Sequence, residues 1–190
     1  MGKGALSPLR QEVPIATLLT VGHGDASQEQ LASLLTGAEV RLLVDVRRFP
    51  GSRRNPHVAR DELEQWLPDA GVAYRWEPRL GGRRRVPPEE RGLDPWWRVE
   101  AFAAYAAYTR TEEFAAGMAE LLSEAAAGGV AVMCSESLWW RCHRRLVSDV
   151  AVLLHGVPVS HLGHDGRLTS HVPAAGARAT PEGLRYDAEG

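Results

Sequence analysis

Residues with usable chemistry crowd into one short stretch, Cys134-Ser-Glu136-Ser-Leu-Trp-Trp-Arg141-Cys142-His143-Arg144. Two thiols offer a nucleophile or soft metal ligands, an imidazole and a carboxylate offer proton transfer, and the guanidiniums offer fixed positive charge for an anion. A second concentration runs Val44-Asp45-Val-Arg47-Arg48-Phe-Pro-Gly-Ser-Arg53-Arg54-Asn55-Pro56. Six arginines fall between Arg41 and Arg60 there, against the single acid Asp45. A third is Gly81-Gly82-Arg83-Arg84-Arg85, and a fourth, Gly22-His23-Gly24, ends the first apolar run. Arginines gathered around a concavity attract and orient phosphate or carboxylate. The same residues paired with Asp45, Asp61 or Glu77 would be a solvated surface and nothing more.

Cys134 lies between an apolar run and a helix predicted from about Leu138 to Leu154. Placed at that helix start and near guanidiniums, it would favour the thiolate, the form in which a cysteine attacks. Six residues separate Cys134 from Arg141, one more than in the Cys-x5-Arg loop of tyrosine phosphatases. A cysteine ending a core strand also reads as a small hydrophobe. On the expected helix, Cys142 aligns with Leu146 and Val150 as core packing, and His143 aligns with Val147 and Leu154. Arg141, Arg144, Arg145 and Ser148 take the other face, with Asp149 a surface partner for Arg145. Cys134, Cys142 and His143, with a remote His23, form an alternative metal-ligating set, although Cys-x7-Cys-His is not a standard zinc spacing. No metal or cofactor is predicted. His161, His164 and His171 read as solvent-facing residues around a turn.

Elements that would position these groups alternate along the chain. Apolar, β-rich runs recur at ATLLTVG, VRLLVDV, VAYRWE, GVAVMC and GVPVSHL, separated by helical periodicity. This pattern predicts one α/β domain over 15–172, a mostly parallel sheet of about five strands with helices on both faces. Ser27-Gln-Glu-Gln30 is a capping box opening a helix from about Gln28 to Leu35. Further helices are expected over ARDELEQWL, WWRVEAFAAYAAY and TEEFAAGMAELLSEAAAGG. HDGRLTSH carries an Asp-Gly turn signal for an antiparallel edge hairpin. The segment from Pro78 to Pro95 is too rich in Gly and Pro for regular structure and reads as a long loop over the site. Residues 1–14 read as a flexible tail and 173–190 as a weakly ordered one. In an open α/β sheet ligands bind beyond the carboxyl ends of strands, and all four loaded segments fall at such ends.

Composition narrows the setting. At 190 residues, 44% hydrophobic and 24% charged, the chain has globular values. It holds no apolar run near the roughly 20 residues that span a bilayer. The first residues lack a signal-type apolar core, and two cysteines in a reducing compartment argue against a disulfide, so a cytoplasmic address without membrane contact is expected. The net charge of −2 conceals segregated basic and acidic segments, and it disfavours a dedicated nucleic-acid binder.

TVGHGDASQEQLASLL, LLVDVRRFPGSRRNPH, LEQWLPDAGVAYRWEPRLGGRR and AVMCSESLWWRCHRRLVSDVAVLLHGVPVSHL together resemble the bacterial and archaeal family called domain of unknown function 488. The likeness covers about Thr17 to Leu162. It implies an α/β domain with motif positions at His23, Asp45, Arg47, Pro50, Ser52, Asn55, Pro56, Gly81, Gly82, Cys134, Glu136, Cys142, His143 and Arg144, and it implies no activity. Trp139 and Trp140 depart from the polar residues usual there.

The expectation drawn from the residues is a site for an anionic small molecule or nucleic acid, specifically a phosphate-bearing ligand such as a nucleotide or nucleic-acid end. Arg47, Arg48, Arg53, Arg54, Asn55, Gly81, Gly82, Arg83, Arg84 and Arg144 would bind it. Cys134 would be nucleophile or oxyanion contact, with His23, Glu136 and Asp45 as acid–base groups. The rival readings are a non-catalytic nucleic-acid-binding module, with Trp96, Trp97, Trp139 or Trp140 stacking on bases, and a metal-dependent domain.

Overall fold

The computed structural model describes residues 16–188, so the expected N-terminal tail, 1–14, lies outside it. The apolar runs form Leu18–Gly22 (β1), Leu42–Asp45 (β2), Ala73–Trp76 (β3), Val130–Cys134 (β4) and Val159–Leu162 (β5). The Asp-Gly turn adds Leu168–Ser170 (β6). They make one six-stranded sheet of order β3-β2-β4-β1-β5-β6, parallel except for the antiparallel edge strand β6. β1 and β4 are buried along their whole length, as strands covered on both faces must be, and this explains why they read as unbroken apolar runs.

The helices are Gln28–Gly37 (α1), Arg60–Trp66 (α2), Glu100–Tyr108 (α3), Glu112–Ala125 (α4) and Arg144–His155 (α5). The Ser27–Gln30 capping box opens α1 with both reciprocal hydrogen bonds. α1 and α2 bring Leu31, Leu35 and Leu63 against Val21, Leu43 and Met133 on one face. α3, α4 and α5 bring Tyr105, Phe114, Met118 and Leu146 against Val44, Val132 and Cys134 on the other. The helices following β1 and β4 therefore cover opposite faces. The crevice at the carboxyl ends of these two neighbouring strands is the switch point of the sheet, where α/β folds open toward solvent.

Three expectations give way here. The last helix begins at Arg144 rather than Leu138; Trp139–Arg141 makes one 3-10 turn, and Cys142 precedes the helix while still packing in the core with Leu146 and Val150 as expected. Trp96 and Trp97 likewise precede their helix. Trp97 is buried, its ring 5.2 Å from Tyr186, and the Trp96 N–H donates to the Tyr186 carbonyl. The residues after Pro173, expected to be weakly ordered, form a two-stranded ribbon, Ala177–Thr180 (β7) and Gly183–Tyr186 (β8). Leu184 and Tyr186 on alternate positions of β8 enter the core, which supplies the apolar burial that the Gly- and Ala-rich approach to the ribbon concealed.

Beneath the ribbon runs a dry polar chain. The Thr20 hydroxyl lies 2.7 Å from His161 Nδ1, His161 Nε2 lies 3.0 Å from His171 Nδ1, and His171 Nε2 lies 2.8 Å from Asp149 Oδ1. Tyr186 donates to Asp149 Oδ2 at 3.0 Å, and the Ala174 N–H donates to Asp149 Oδ1 at 3.1 Å. His161, His171 and Asp149 are therefore interior residues, correcting the reading of the histidines as solvent-facing and of Asp149 as a surface partner of Arg145. Arg145 instead lies over the Trp96 and Trp97 rings. No helix among the described residues is long and apolar enough to cross a membrane.

Candidate functional site

A cleft of about 360 Å³ opens at the carboxyl ends of β2 and β4. Its lining includes Arg47 and Arg48 after β2, Gly82 and Arg83 after β3, Cys134 to Glu136 after β4, and Arg141 to His143 before α5. Val99, Phe102 and Tyr105 make an apolar wall. A wider hollow beside it, under residues 84–104, mixes Arg84, Arg85 and Arg91 with Glu90, Asp94 and Glu100, and two of these acids are already engaged, Glu90 by Arg110 and Arg185 and Asp94 by Arg110.

Both thiols and one imidazole meet at the floor of the cleft. Cys134 Sγ lies 3.8 Å and Cys142 Sγ 3.7 Å from His143 Nδ1, and the three atoms all fall within 4.8 Å of one another. On its other side, His143 Nε2 faces the Val46 carbonyl at 3.3 Å, so Nδ1 is the nitrogen turned toward the sulfurs. Neither cysteine is in a disulfide. Gly82 makes the close approach possible, since a Cβ there would sit 2.9 Å from His143 Nδ1.

The sulfurs differ in acidity. A hydrogen bond shared with Cys142, followed by burial, pushes the Cys134 thiol up. For Cys142 burial acts in the same direction, but the bond from Cys134, the His143 imidazole and Arg144 outweigh it and hold this thiol well down. α5 starts at Arg144, so its N-terminal end lies directly after Cys142 in the chain.

Arg144 is only 1% exposed, yet no carboxylate among the described residues receives it. Its guanidinium donates to the Glu136 carbonyl and lies 3.4 Å from the Thr20 hydroxyl, while its Nε has no partner. Gly22 permits this, since a Cβ there would strike both the Glu136 carbonyl and Arg144. Arg144 thus stands behind the thiols as a buried charge and not on the surface of the cleft.

The other expected binders divide. Arg48, Arg83 and Arg141 are exposed on the lining and form no ion pair among the described residues. Arg47 reaches the lining but is held by Asp45, with Nη2 at 2.6 Å and Nε at 2.8 Å from its two oxygens. Arg54 pairs loosely with Asp25 at 3.5 Å, and Arg53 points to solvent outside the cleft. Arg84 turns away, its guanidinium 3.6 Å over the Tyr108 ring and bonded to the Gly81 and Pro78 carbonyls. Asn55 donates to the Gly24 carbonyl, and Gly81 packs on the Arg48 backbone.

Strand parity separates the expected acid–base groups. Asp45 shares a face with Leu43, and His23 with Val21, so both lie on the α1–α2 side while Cys134 faces α5. Asp45 is spent on Arg47 and on the Tyr74 hydroxyl. Burial, reinforced by Arg47, lowers the His23 pKa to about 4, so it is a neutral and weak base at pH 7. Glu136 alone of the three acid–base candidates reaches the cleft, at its exposed mouth. Sequence reasoning passed over Phe49, which is 64% exposed on the cleft, with the Arg48 and Arg83 guanidiniums 5.7 and 5.9 Å from its ring centre. A large apolar residue inside a run of arginines, directly after a predicted strand end, was the signal available.

The model of the family described as "Domain of unknown function DUF488" matches residues 27–151. The chain belongs to the DUF488 family. No curated protein and no solved structure matches it. The matched part of the DUF488 domain runs from the cap of α1 into α5 and contains both thiols, His143 and every cleft arginine. His161, His171 and Tyr186 of the buried chain lie beyond it.

Proposed function

We propose that the cleft binds a phosphate-bearing ligand carrying an aromatic base, a nucleotide or a nucleic-acid end, and holds it above Cys134, Cys142 and His143. The observation that carries this reading is the grouping of Arg48, Arg83 and Arg141, none paired with an acid among the described residues, around the exposed ring of Phe49. Unpaired guanidiniums supply bidentate donors for phosphate oxygens. A solvent-facing aromatic ring stacks a base at about 1–3 kcal/mol. Glu136 at the same mouth is an acceptor for a ribose hydroxyl or an exocyclic amine. The thiols and imidazole below make the cleft suited to acting on its ligand as well as holding it.

A non-catalytic nucleic-acid-binding module, with the arginine loops on the backbone and tryptophans stacking on bases, fits less well. Trp96 and Trp97 pack together against the C-terminal ribbon, and Trp139 lies stacked on His161 at 4.0 Å, which leaves only Trp140 of the four expected stackers outward.

Titration of the protein with AMP and with pyrophosphate, followed by calorimetry, tests the reading. The double variant Arg48→Ala/Arg83→Ala is expected to lose at least about tenfold in affinity for both, matching the loss of one or two charge-assisted bonds. Phe49→Ala should weaken AMP several-fold and leave pyrophosphate unchanged. Absence of binding by the wild type, or equal binding by the double variant, overturns the proposal.

A further inference from the structure

We infer that Cys134, Cys142 and His143 are the three protein ligands of a zinc ion whose fourth position opens into the cleft. The inference deepens the proposed function and rests on it for the identity of the fourth ligand, but the ion itself rests on the three side chains.

Tetrahedral zinc with bonds of about 2.3 Å to sulfur and 2.0–2.1 Å to nitrogen sets its ligand atoms about 3.6–3.8 Å apart. Both sulfurs already stand at 3.7 and 3.8 Å from His143 Nδ1. The imidazole is oriented as metal-binding histidines are, its outer nitrogen turned to the Val46 carbonyl and its inner nitrogen toward the sulfurs. These ligands come from a strand end and from the residues just before a helix, both fixed by the core, so little rearrangement is required. The sequence spacing seemed wrong for zinc only because knuckle spacings describe ligands on one loop, whereas here β4 and the approach to α5 each supply part of the set.

Two thiolates and His143 with three protein ligands in all leave one position vacant, the pattern of catalytic rather than structural zinc. Cys134, Cys142 and His143 all line the cleft, so the vacancy faces its ligand. Charge reinforces the assignment. Two thiolates neutralise Zn²⁺, the two thiol protons leaving to solvent, and the buried Arg144 then leaves the centre with one net positive charge. One anionic oxygen at the open position, from hydroxide or from a phosphate, completes neutrality. A metal there would act as Lewis acid or lower the pKa of bound water, which points to hydrolytic chemistry on a nucleotide-type ligand.

Metal content of protein purified without chelator, followed by Co²⁺ substitution, tests this. The expected result is about one zinc per chain, displaced by Co²⁺ with thiolate charge-transfer bands and the intense visible bands of four-coordinate cobalt. Cys142→Ser and His143→Gln should each weaken Zn²⁺ at least about tenfold in competition with a chromophoric chelator. Far-ultraviolet circular dichroism of each variant separates ligand loss from misfolding. Wild-type protein that binds Zn²⁺ no better than a folded Cys134→Ser/Cys142→Ser variant overturns the site. AMP should alter the visible cobalt bands; unchanged bands with AMP bound show a closed fourth position and overturn the open-site assignment. AMP binding to metal-free protein, lost in Arg48→Ala/Arg83→Ala, is the separate readout of the anion cleft, so either reading fails without the other.

Discussion

Two polar centres lie on either side of Arg144, and they are built on opposite rules. In the chain from Thr20 through His161 and His171 to Asp149, each polar group meets a partner: both nitrogens of each ring are engaged, and Tyr186 closes the far end on Asp149. Buried groups satisfied in this manner strengthen one another in a low-dielectric interior and specify a single packing. In the cleft the cations Arg48, Arg83 and Arg141 have no acid, and the buried Arg144 has carbonyl and hydroxyl contacts only. Uncompensated charge of this kind adds little to folding, and the proposed ligand is what would complete it.

The sharpest way to break the comparison is to remove the anchor of the satisfied chain. Asp149→Ala leaves His171, Tyr186 and the Ala174 N–H without an acceptor inside the core. It should cost about 3–5 kcal/mol in urea unfolding. Detachment of the β7–β8 ribbon should accompany it, read as increased proteolysis after Pro173.

Acid should act on a comparable scale, through His161 of the same chain and through His23. Burial, helped by His171 and Arg144, lowers the His161 pKa to about 3, and His23 falls to about 4. Unfolded, both regain a value near 6.5, so below that pH the unfolded chain binds protons that the folded chain refuses. Stability is then full above about pH 6.5 and falls as pH drops toward 4, by on the order of 3 kcal/mol for each histidine. Urea midpoints across this window check it. His161→Asn should flatten the slope, and an unchanged slope would show that the chain does not carry the effect.

The smallest expected change is the most telling about the cleft. Arg48→Ala/Arg83→Ala, which abolishes most anion affinity in the proposed function, should shift unfolding by no more than about 0.5 kcal/mol, as exposed, unpaired side chains do. A loss several times larger would move these arginines into the structural class and erase the contrast.

Much of the frame was legible in the residues: the alternation of apolar runs with helical periods, the Ser27 cap, the Asp-Gly edge turn, and the convergence of loaded loops at strand ends. Cys134 and Arg83 could be placed at the site because each ends or follows a run whose direction a parallel sheet fixes. What stayed hidden depended on partners distant in sequence. His161 and His171 look like turn residues until Asp149 comes beneath them, and Asp149 looks like a surface acid because Arg145 stands four residues before it. Tyr186 needed Trp97 to become core. His23 and Asp45 were assigned to the thiol side because strand ends were located without their parity, and one residue of register decides which face a side chain takes.

The placement of β4 between β2 and β1 has a consequence for timing. Its amides are bonded on both edges, so in deuterated solvent they should be among the last to exchange, opening only with the whole fold. Arg48, Phe49 and Arg83 ride on connections without strand neighbours, which open by brief local excursions. A ligand entering the cleft would meet a rim that adjusts on a fast clock over a floor that keeps its shape for the lifetime of the native state.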